Sequence, residues 1–200
     1  MGEKLFGLVL AGGKSRRLGE DKGLINWHGK KQRYYLADLL NRHCQDTYIS
    51  CRQDQAKEIQ DLNYRTILDN FAGVDGPYGA LISAMKEYAK ASWLVVACDL
   101  PFFDDEAAET LIRNRDPNFI ATAYKSPANG LPEPLAAIWE PASLQILLES
   151  FKTDAISCPR KALIKSANIV KLIDPKLPST VVNVNTPADM IQAQELIGVK

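Results

Sequence analysis

Short apolar runs rich in β-branched residues alternate with segments of helical period along the whole chain. The apolar runs have the length and the flanking turn residues of strands, and the periodic segments between them are long enough to form helices. Trp93–Ala97 is apolar at every position, which is typical of a central parallel strand covered on both faces. The alternation predicts an α/β fold with a doubly wound, mainly parallel sheet in three layers.

The predicted strands are Leu5–Ala11, Thr47–Cys51, Arg65–Leu68, Trp93–Ala97, Phe119–Ala123, Leu135–Trp139, Ile169–Ile173 and Thr180–Asn183. The predicted helices are Gln32–His43, Asp54–Leu62, Gly79–Lys90, a helix from Asp104 or Asp105 to about Arg115, a helix from Pro141 to Ser150, Arg160–Ser166 and Pro187–Leu196. Tyr124–Glu133 is predicted to be a surface loop. The 200 residues show no repeat or linker, so we expect one domain over residues 1–200. Such sheets bind ligands beyond the carboxyl ends of their strands.

Composition excludes several classes of function. The charges of the 24 basic and 24 acidic residues cancel, so non-specific electrostatic binding to nucleic acid or to an anionic membrane is not expected. No apolar run approaches the roughly 18 residues that a membrane span needs. The cysteines are widely spaced and only two histidines are present, which argues against a zinc cluster and favours reduced thiols in a cytoplasmic protein. They are Cys44, Cys51, Cys98 and Cys158.

The segment Leu10–Lys22, LAGGKSRRLGEDK, concentrates glycine and positive charge directly after the first strand. Its glycines permit close backbone approach, so several N–H groups can converge on an anion. Its cations, Lys14, Arg16, Arg17 and Lys22, suit a triphosphate or pyrophosphate. A basic turn that faces water explains the same composition. The patterns GxxxxGK[ST] and GxGxxG are both absent, which argues against a P-loop protein and a dinucleotide-dependent dehydrogenase.

This segment resembles the motif LAGGxSxRMGxDK of the molybdenum cofactor guanylyltransferases, which belong to the wider nucleotidyltransferase superfamily with its Rossmann-like fold. The matching positions are Leu10, Ala11, Gly12, Gly13, Ser15, Arg17, Gly19, Asp21 and Lys22, with Leu18 in place of Met. The resemblance implies that Leu10, Ala11, Gly12, Gly13, Ser15 and Lys22 bind the nucleotide. It also implies that Arg17 and Lys22 act in catalysis by stabilising the leaving pyrophosphate.

A carboxylate, Asp99, closes the predicted strand Trp93–Ala97 within the sequence Cys98–Pro101. A strand-end aspartate alone is more often a cap or a turn former. The segment resembles the family's CDxP-like motif, whose aspartate coordinates the metal. Asp99 is therefore expected to hold Mg²⁺, to bind the nucleotide and to act in catalysis. Cys98 is interpreted as a small buried residue rather than a nucleophile.

The segment Leu68–Gly79 resembles the family's D…GPLxG pattern, which implies that Asp69 binds the nucleotide. A solvated loop followed by a helix is the alternative interpretation. Ile49–Gln53 departs from the family, because Arg52 stands where relatives have the last Asn of INAN near the guanine.

The segment Val182–Asp189 resembles the closing NxNTPxD motif, which implies that Asn183 and Asn185 lie on the pterin-substrate side of the cleft. Arg160 and Lys161 correspond to a basic segment near the pterin phosphate, although an exposed helix start explains them equally well. The resemblance implies Mg²⁺-dependent transfer of GMP from GTP to molybdopterin, with release of pyrophosphate. Transient contact with cofactor-delivery proteins or molybdoenzymes is expected.

Two alternatives remain at this level. The first is a cytidylyltransferase or another nucleotidyltransferase of the same superfamily; relatives that use CTP usually have LAAG where Gly12 gives LAGG here. The second is a non-catalytic nucleotide-binding paralogue, although such proteins often lose the metal-binding acid or the motif lysine.

Overall fold

The computed structural model describes residues 4–13, 21–71 and 73–198. The strands are β1 (Leu5–Leu10), β2 (Asp46–Cys51), β3 (Arg65–Leu68), β4 (Ser92–Ala97), β5 (Ala121–Lys125), β6 (Pro132–Trp139) and β7 (Val170–Ile173). The helices are α1 (Gln32–Asn41), α2 (Gln53–Asp61), α3 (Pro77–Glu87), α4 (Asp105–Asn114), α5 (Ser143–Asp154), α6 (Pro159–Lys165) and α7 (Pro187–Gly198). Short 3₁₀ helices occupy Lys22–Leu24, Ala167–Ile169 and Pro178–Val181.

These strands form one sheet in the order β3-β2-β1-β4-β6-β5-β7. The pairs β1–β2, β1–β4, β2–β3 and β5–β7 are parallel, whereas β6 runs antiparallel to both β4 and β5. The connection from β5 to β6 is too short to hold the crossover that a parallel neighbour requires. The predicted fold class, a doubly wound and mainly parallel sheet, is confirmed.

Both faces of the sheet are buried, which makes the three layers. On β4, Trp93 and Val95 pack into the core shared with α3, α5 and α6. The alternating residues Leu94 and Val96 pack into the core shared with α1, α2 and α4. Successive side chains of a strand point to opposite faces, so an uninterrupted apolar run serves both cores at once.

Two local predictions were wrong. Thr180–Asn183 is not a strand, because the chain forms a 3₁₀ helix at Pro178–Val181. Proline suits the first turn of such a helix, since its φ is already fixed near the helical value and it has no N–H group that would need a partner. The predicted loop Tyr124–Glu133 is also too long, because β5 continues to Lys125 and β6 begins at Pro132. Within the part of the chain that the structure describes, no helix is both long enough and apolar enough to cross a membrane.

Candidate functional site

A cleft of about 400 Å³ opens at the carboxyl ends of β1 and β4. Strands β2 and β4 lie on opposite sides of β1, so the winding of the sheet reverses here, as it does at ligand sites of doubly wound folds. The start of β6 also reaches the cleft because this strand runs against β4. The predicted site residues that line the cleft are Leu10, Ala11, Gly12, Gly13, Lys22, Asp69, Asp99 and Asn185. Ser15 and Arg17 lie outside the described residues.

Asp99 follows β4 and projects a carboxylate into the cleft. Its backbone is held, because the N–H of Val184 donates to its carbonyl oxygen at 2.8 Å. Oδ2 lies 3.2 Å from Lys22 Nζ. Oδ1 is buried and has no hydrogen-bond partner among the described residues. A buried acceptor left unsatisfied is costly, and a hard cation such as Mg²⁺ would satisfy it.

The donor set suits a metal that is completed by substrate oxygens. Among the described residues, no group of three or more His, Cys, Asp or Glu side chains is placed to enclose a metal ion. Mg²⁺ is usually held by one or two carboxylates together with substrate phosphates, rather than by a full protein cage. Asp99 therefore fits a Mg²⁺ ion that arrives with a nucleotide.

Lys22 begins a 3₁₀ helix whose N-cap is Asp21; the Asp21 side chain accepts from the N–H of Gly23 at 2.9 Å. Lys22 Nζ also donates to Asn185 Oδ1 at 2.7 Å, so the closing segment of the chain reaches the ammonium group. The Asp189 side chain in turn accepts from the N–H of Asn185 at 2.9 Å, which holds the bend before α7. The lysine is thus held between the strand-end carboxylate and the C-terminal segment. Its link to Asn185 has no signal in the sequence.

Asp69 follows β3 and lies half-buried beside Gly12. One carboxylate oxygen, Oδ1, accepts a hydrogen bond from Ser50 Oγ. The other, Oδ2, lies where a side chain at Gly12 would begin: an ideal Cβ there would be 2.0 Å from it. Burial raises the pKa of Asp69, while the Ser50 hydrogen bond and the positive charge of Arg52 act in the opposite direction. Sequence reasoning missed Ser50, because a serine inside a strand carries no distinctive pattern.

Three predicted residues do not line this cleft, and their assignment to the pterin-substrate side stays a prediction. Arg160 donates through Nε to the Pro132 carbonyl at 3.0 Å and pairs with Glu133 at 2.5 Å, so it joins α6 to the start of β6. Lys161 is exposed on the same helix. Asn183 donates to the Val181 carbonyl at 3.4 Å.

The buried cysteine next to the metal-binding candidate is not a nucleophile. Burial raises the pKa of the Cys98 thiol, as does the negative charge of Asp99, so the thiol stays protonated. Cys51 behaves similarly: burial raises its pKa to about 11. Nucleophilic cysteines need the thiolate form, so both side chains act as packing residues.

The sequence of this chain is similar to those of a known protein family. Residues 7–168 match the model of the MobA-like NTP transferase domain. The chain is 35% identical over 185 residues to the molybdenum cofactor biosynthesis bifunctional protein of Synechocystis sp.; the match covers 92% of this chain and 52% of that protein. It is 31% identical to the molybdenum cofactor guanylyltransferase of Pseudomonas putida, with 80% of this chain and 82% of that protein covered.

Solved structures of similar fold include a protein of the same kind as these relatives. The crystal structure of molybdopterin-guanine dinucleotide biosynthesis protein A from Archaeoglobus fulgidus superimposes with a TM-score of 0.77 at 26% identity. The match covers 98% of this chain and all of that one (100%). A CMP-2-keto-3-deoxy-manno-octonic acid synthetase complexed with CTP, 14% identical, shares the fold with a TM-score of 0.74. The chain therefore belongs to the MobA-like NTP transferase family, a family of nucleotidyltransferases.

Proposed function

We propose that this protein catalyses the Mg²⁺-dependent transfer of GMP from GTP to molybdopterin, held as its molybdenum complex, with release of pyrophosphate. One observation carries the proposal: Oδ1 of Asp99, buried and without a partner among the described residues, lies in a glycine-lined cleft near the ammonium group of Lys22. A nucleoside triphosphate with its metal supplies a cation for Oδ1 of Asp99 and negative charge for the Lys22 ammonium group. The relatives named guanylyltransferases support guanine as the base.

The reaction is an in-line displacement at phosphorus. An oxygen of the pterin phosphate bonds to the α-phosphorus of GTP, the bond from that phosphorus to the bridging oxygen breaks, and the electron pair leaves with pyrophosphate. The attacking phosphate is already ionised, so no strong general base is needed. Lys22 and the N–H groups of Gly12 and Gly13 would neutralise charge on the leaving group, which is the main catalytic demand. Bound Mg²⁺, held by Asp99, would add its charge to this neutralisation.

Asp69 is our candidate for recognition of the base. Guanine presents two neighbouring donors, N1–H and the N2 amino group, on one edge, and a carboxylate accepts from both. Cytosine presents one amino donor beside acceptor atoms, so an ionised carboxylate suits guanine better. The absence of a side chain at Gly12 leaves space for the Asp69 carboxylate.

Replacing Gly12 by Ala should weaken GTP binding by roughly tenfold or more and lower the melting temperature by roughly 2–6 °C, as for the loss of one buried hydrogen bond. The new methyl group would lie 2.0 Å from Asp69 Oδ2, so this carboxylate must rotate away and break its contact with Ser50. A displaced charge-assisted acceptor costs about that factor. Isothermal titration with GTP measures the change. The matched control is Gly198→Ala, since Gly198 is exposed at the end of α7, outside the cleft, and a Cβ there meets nothing within 4 Å among the described residues. Equal affinities in the two variants would contradict the role of Gly12.

Replacing Lys22 by Ala should lower kcat about 100-fold, because one preorganised charge facing the leaving group is lost. Pyrophosphate release at saturating GTP is the measurement. Lys30→Ala is the control, since Lys30 is an exposed lysine that pairs with Asp38 and does not line the cleft. Near wild-type turnover in Lys22→Ala would remove the lysine from the mechanism.

The proposed function is tested first by thermal shift with GTP, CTP, ATP and UTP, each with Mg²⁺ and with EDTA. A ligand at 100 times its Kd stabilises by about 2.7 kcal/mol, which raises Tm by roughly 5–10 °C for a chain of this size. Selective stabilisation by GTP that Mg²⁺ enhances is expected. Preference for CTP would move the protein to the cytidylyltransferases, and no response to any nucleotide would overturn the site.

The second step is transfer to molybdopterin, followed as pyrophosphate release and as formation of the guanine dinucleotide. Binding of GTP without release in the presence of molybdopterin would identify a non-catalytic paralogue instead. We also propose that residues 1–200 act as one nucleotidyltransferase domain in the cytoplasm. Contacts with cofactor-delivery proteins or molybdoenzymes would then be transient.

A further inference from the structure

The first turn of α2 contacts Gly12, which follows β1, and Asp21, which precedes the first 3₁₀ helix. Arg52, the N-cap of this helix, donates through Nη1 to the Gly12 carbonyl oxygen at 2.7 Å. Its Nε and Nη2 donate to the two carboxylate oxygens of Asp54 at 3.1 and 3.2 Å. Three nitrogens of one planar group are engaged, so the guanidinium has a defined orientation. Gln55 adds a second link, since its Nε2 donates to Asp21 at 2.8 Å.

The hydrogen bond from Arg52 to the Gly12 carbonyl sets the direction of the next N–H group, that of Gly13. A trans peptide unit holds its C=O and the following N–H on opposite sides. With the Gly12 carbonyl directed at Arg52, the N–H of Gly13 is directed away from Arg52. Gly12 and Gly13 both line the cleft. An exposed Arg–Asp pair by itself contributes little, whereas this one orients a peptide unit of the candidate nucleotide site.

Arg52 also acts on the charge of Asp69. The groups that face this carboxylate are Ser50 and the Cys51 thiol from β2, Gly12 from the loop, and Arg52 from the start of α2. Among the residues that the structure describes, Arg52 is the positively charged group that acts on Asp69. Burial raises the pKa of Asp69, and the charge of Arg52 lowers it. The start of α3, at Gly76 and Pro77, lines the same cleft without a charged side chain.

We propose that Arg52 is a positioning residue of the nucleotide site: held by Asp54, it fixes the Gly12–Gly13 peptide beside the Asp69 carboxylate, which would accept from the base. This inference rests on the proposed function, because it assigns to Arg52 a role in binding GTP. It also assigns a role to Arg52 at the position where this chain departs clearly from the family pattern, which has an asparagine there.

Two variants separate the two effects of Arg52. In Arg52→Gln we expect the Kd for GTP to rise roughly 10- to 100-fold at neutral pH, as for the loss of a charge-assisted contact. An ionised Asp69 is required, so binding is lost as the pH falls through its pKa. Without the Arg52 charge that pKa is higher, and the loss occurs at higher pH than in the wild type. Arg52→Lys keeps the charge, so its acid midpoint stays at the wild-type value while its Kd remains raised.

The matched control is Arg42→Gln. Arg42 makes the same two-point pair with a carboxylate, Asp105, at 2.9 and 2.6 Å, and it does not line the cleft. Its Kd for GTP and its acid midpoint should equal those of the wild type. Calorimetric titration with GTP across the acid range measures both quantities, and melting curves show that the variants are folded. If Arg52→Gln does not fold, the Kd of Arg52→Lys for GTP becomes the test: a raised Kd supports the inference, and a wild-type Kd contradicts it.

The outcomes distinguish this inference from the proposed function. Absence of GTP binding in the wild type would overturn the proposed function and this inference together. Wild-type binding with an unchanged Kd and acid midpoint in Arg52→Gln would overturn the inference alone. An acid midpoint in Arg52→Lys that moves as far as in Arg52→Gln would also overturn it, since the charge would then have no role.

Discussion

Replacing Asp99 by Asn should reduce the rate of pyrophosphate release about 1,000-fold, which makes it the largest catalytic effect that we expect. The substitution keeps the shape of the side chain but removes the negative charge that would hold Mg²⁺. Oδ1 is buried without a partner among the described residues, while Oδ2 pairs with Lys22 at 3.2 Å. An amide oxygen still accepts a hydrogen bond from Lys22 and a partly exposed ion pair contributes little, so the melting temperature of the metal-free variant should lie close to that of the wild type.

The measurement compares turnover in Mg²⁺ with GTP affinity in EDTA. Turnover should be lost, whereas GTP affinity without metal should change by less than about threefold, because Asp69 and the loop are untouched. Asp61→Asn is the control, since Asp61 is an exposed aspartate at the far end of α2. Turnover within tenfold of the wild type in Asp99→Asn would show that the metal is held elsewhere.

Replacing Arg115 by Ala should lower the free energy of unfolding by about 3–5 kcal/mol. Arg115 Nε and Nη2 donate to the two carboxylate oxygens of Glu140 at 2.7 and 2.8 Å, and Nη2 also donates to Ser92 Oγ at 2.8 Å. Glu140 is 2% exposed and follows β6 at the end of the sheet away from the cleft. The variant leaves this carboxylate buried without its cation, although Ser92 Oγ still donates to Oε2 at 2.6 Å. A buried charge without its partner is far costlier than the loss of a surface ion pair.

Urea unfolding measures this effect, and the shift in Tm should be roughly 6–20 °C. Arg113→Ala, in the last turn of the helix that Arg115 caps, is the matched control, because Arg113 is exposed and its loss should cost less than about 0.5 kcal/mol. The double variant Arg115→Ala, Glu140→Ala should lose less stability than the two single variants added together, since the buried charge is then absent. Equal urea midpoints for Arg115→Ala and Arg113→Ala would refute the assignment.

Local patterns predicted several strands closely. β4, buried at every position, differs from its prediction by one residue, because an uninterrupted apolar run ended by turn residues is distinctive. The bounds of β3 match the prediction, although Ile67 alone of its four residues is fully buried. The antiparallel direction of β6 did not follow from its own residues, since a buried strand has the same apolar character in either direction. The 3₁₀ helix at Pro178–Val181 escaped prediction because apolar and β-branched residues there resemble a strand.

Some features of the candidate site were likewise predictable from the sequence, and others were not. The glycine-containing loop, Asp69 and Asp99 were predicted, because each directly follows a predicted strand and the carboxyl ends of parallel strands meet at one edge. The hydrogen bond from Ser50 to Asp69 and that from Lys22 to Asn185 were not predicted. Residues 22 and 185 are 163 positions apart, and no local pattern encodes a contact across that distance.

The amino-acid sequence by itself determined the class of fold, the family and the strand ends at which chemistry-bearing residues lie, because these depend on periodicity and on contiguous motifs. Only the tertiary structure decided which of those residues meet, which oxygen of Asp99 has no partner among the residues described, and what Arg52 contacts. The physical reason is that hydrogen bonding and desolvation act over a few ångströms in space, and chain folding sets those distances without regard to separation in sequence.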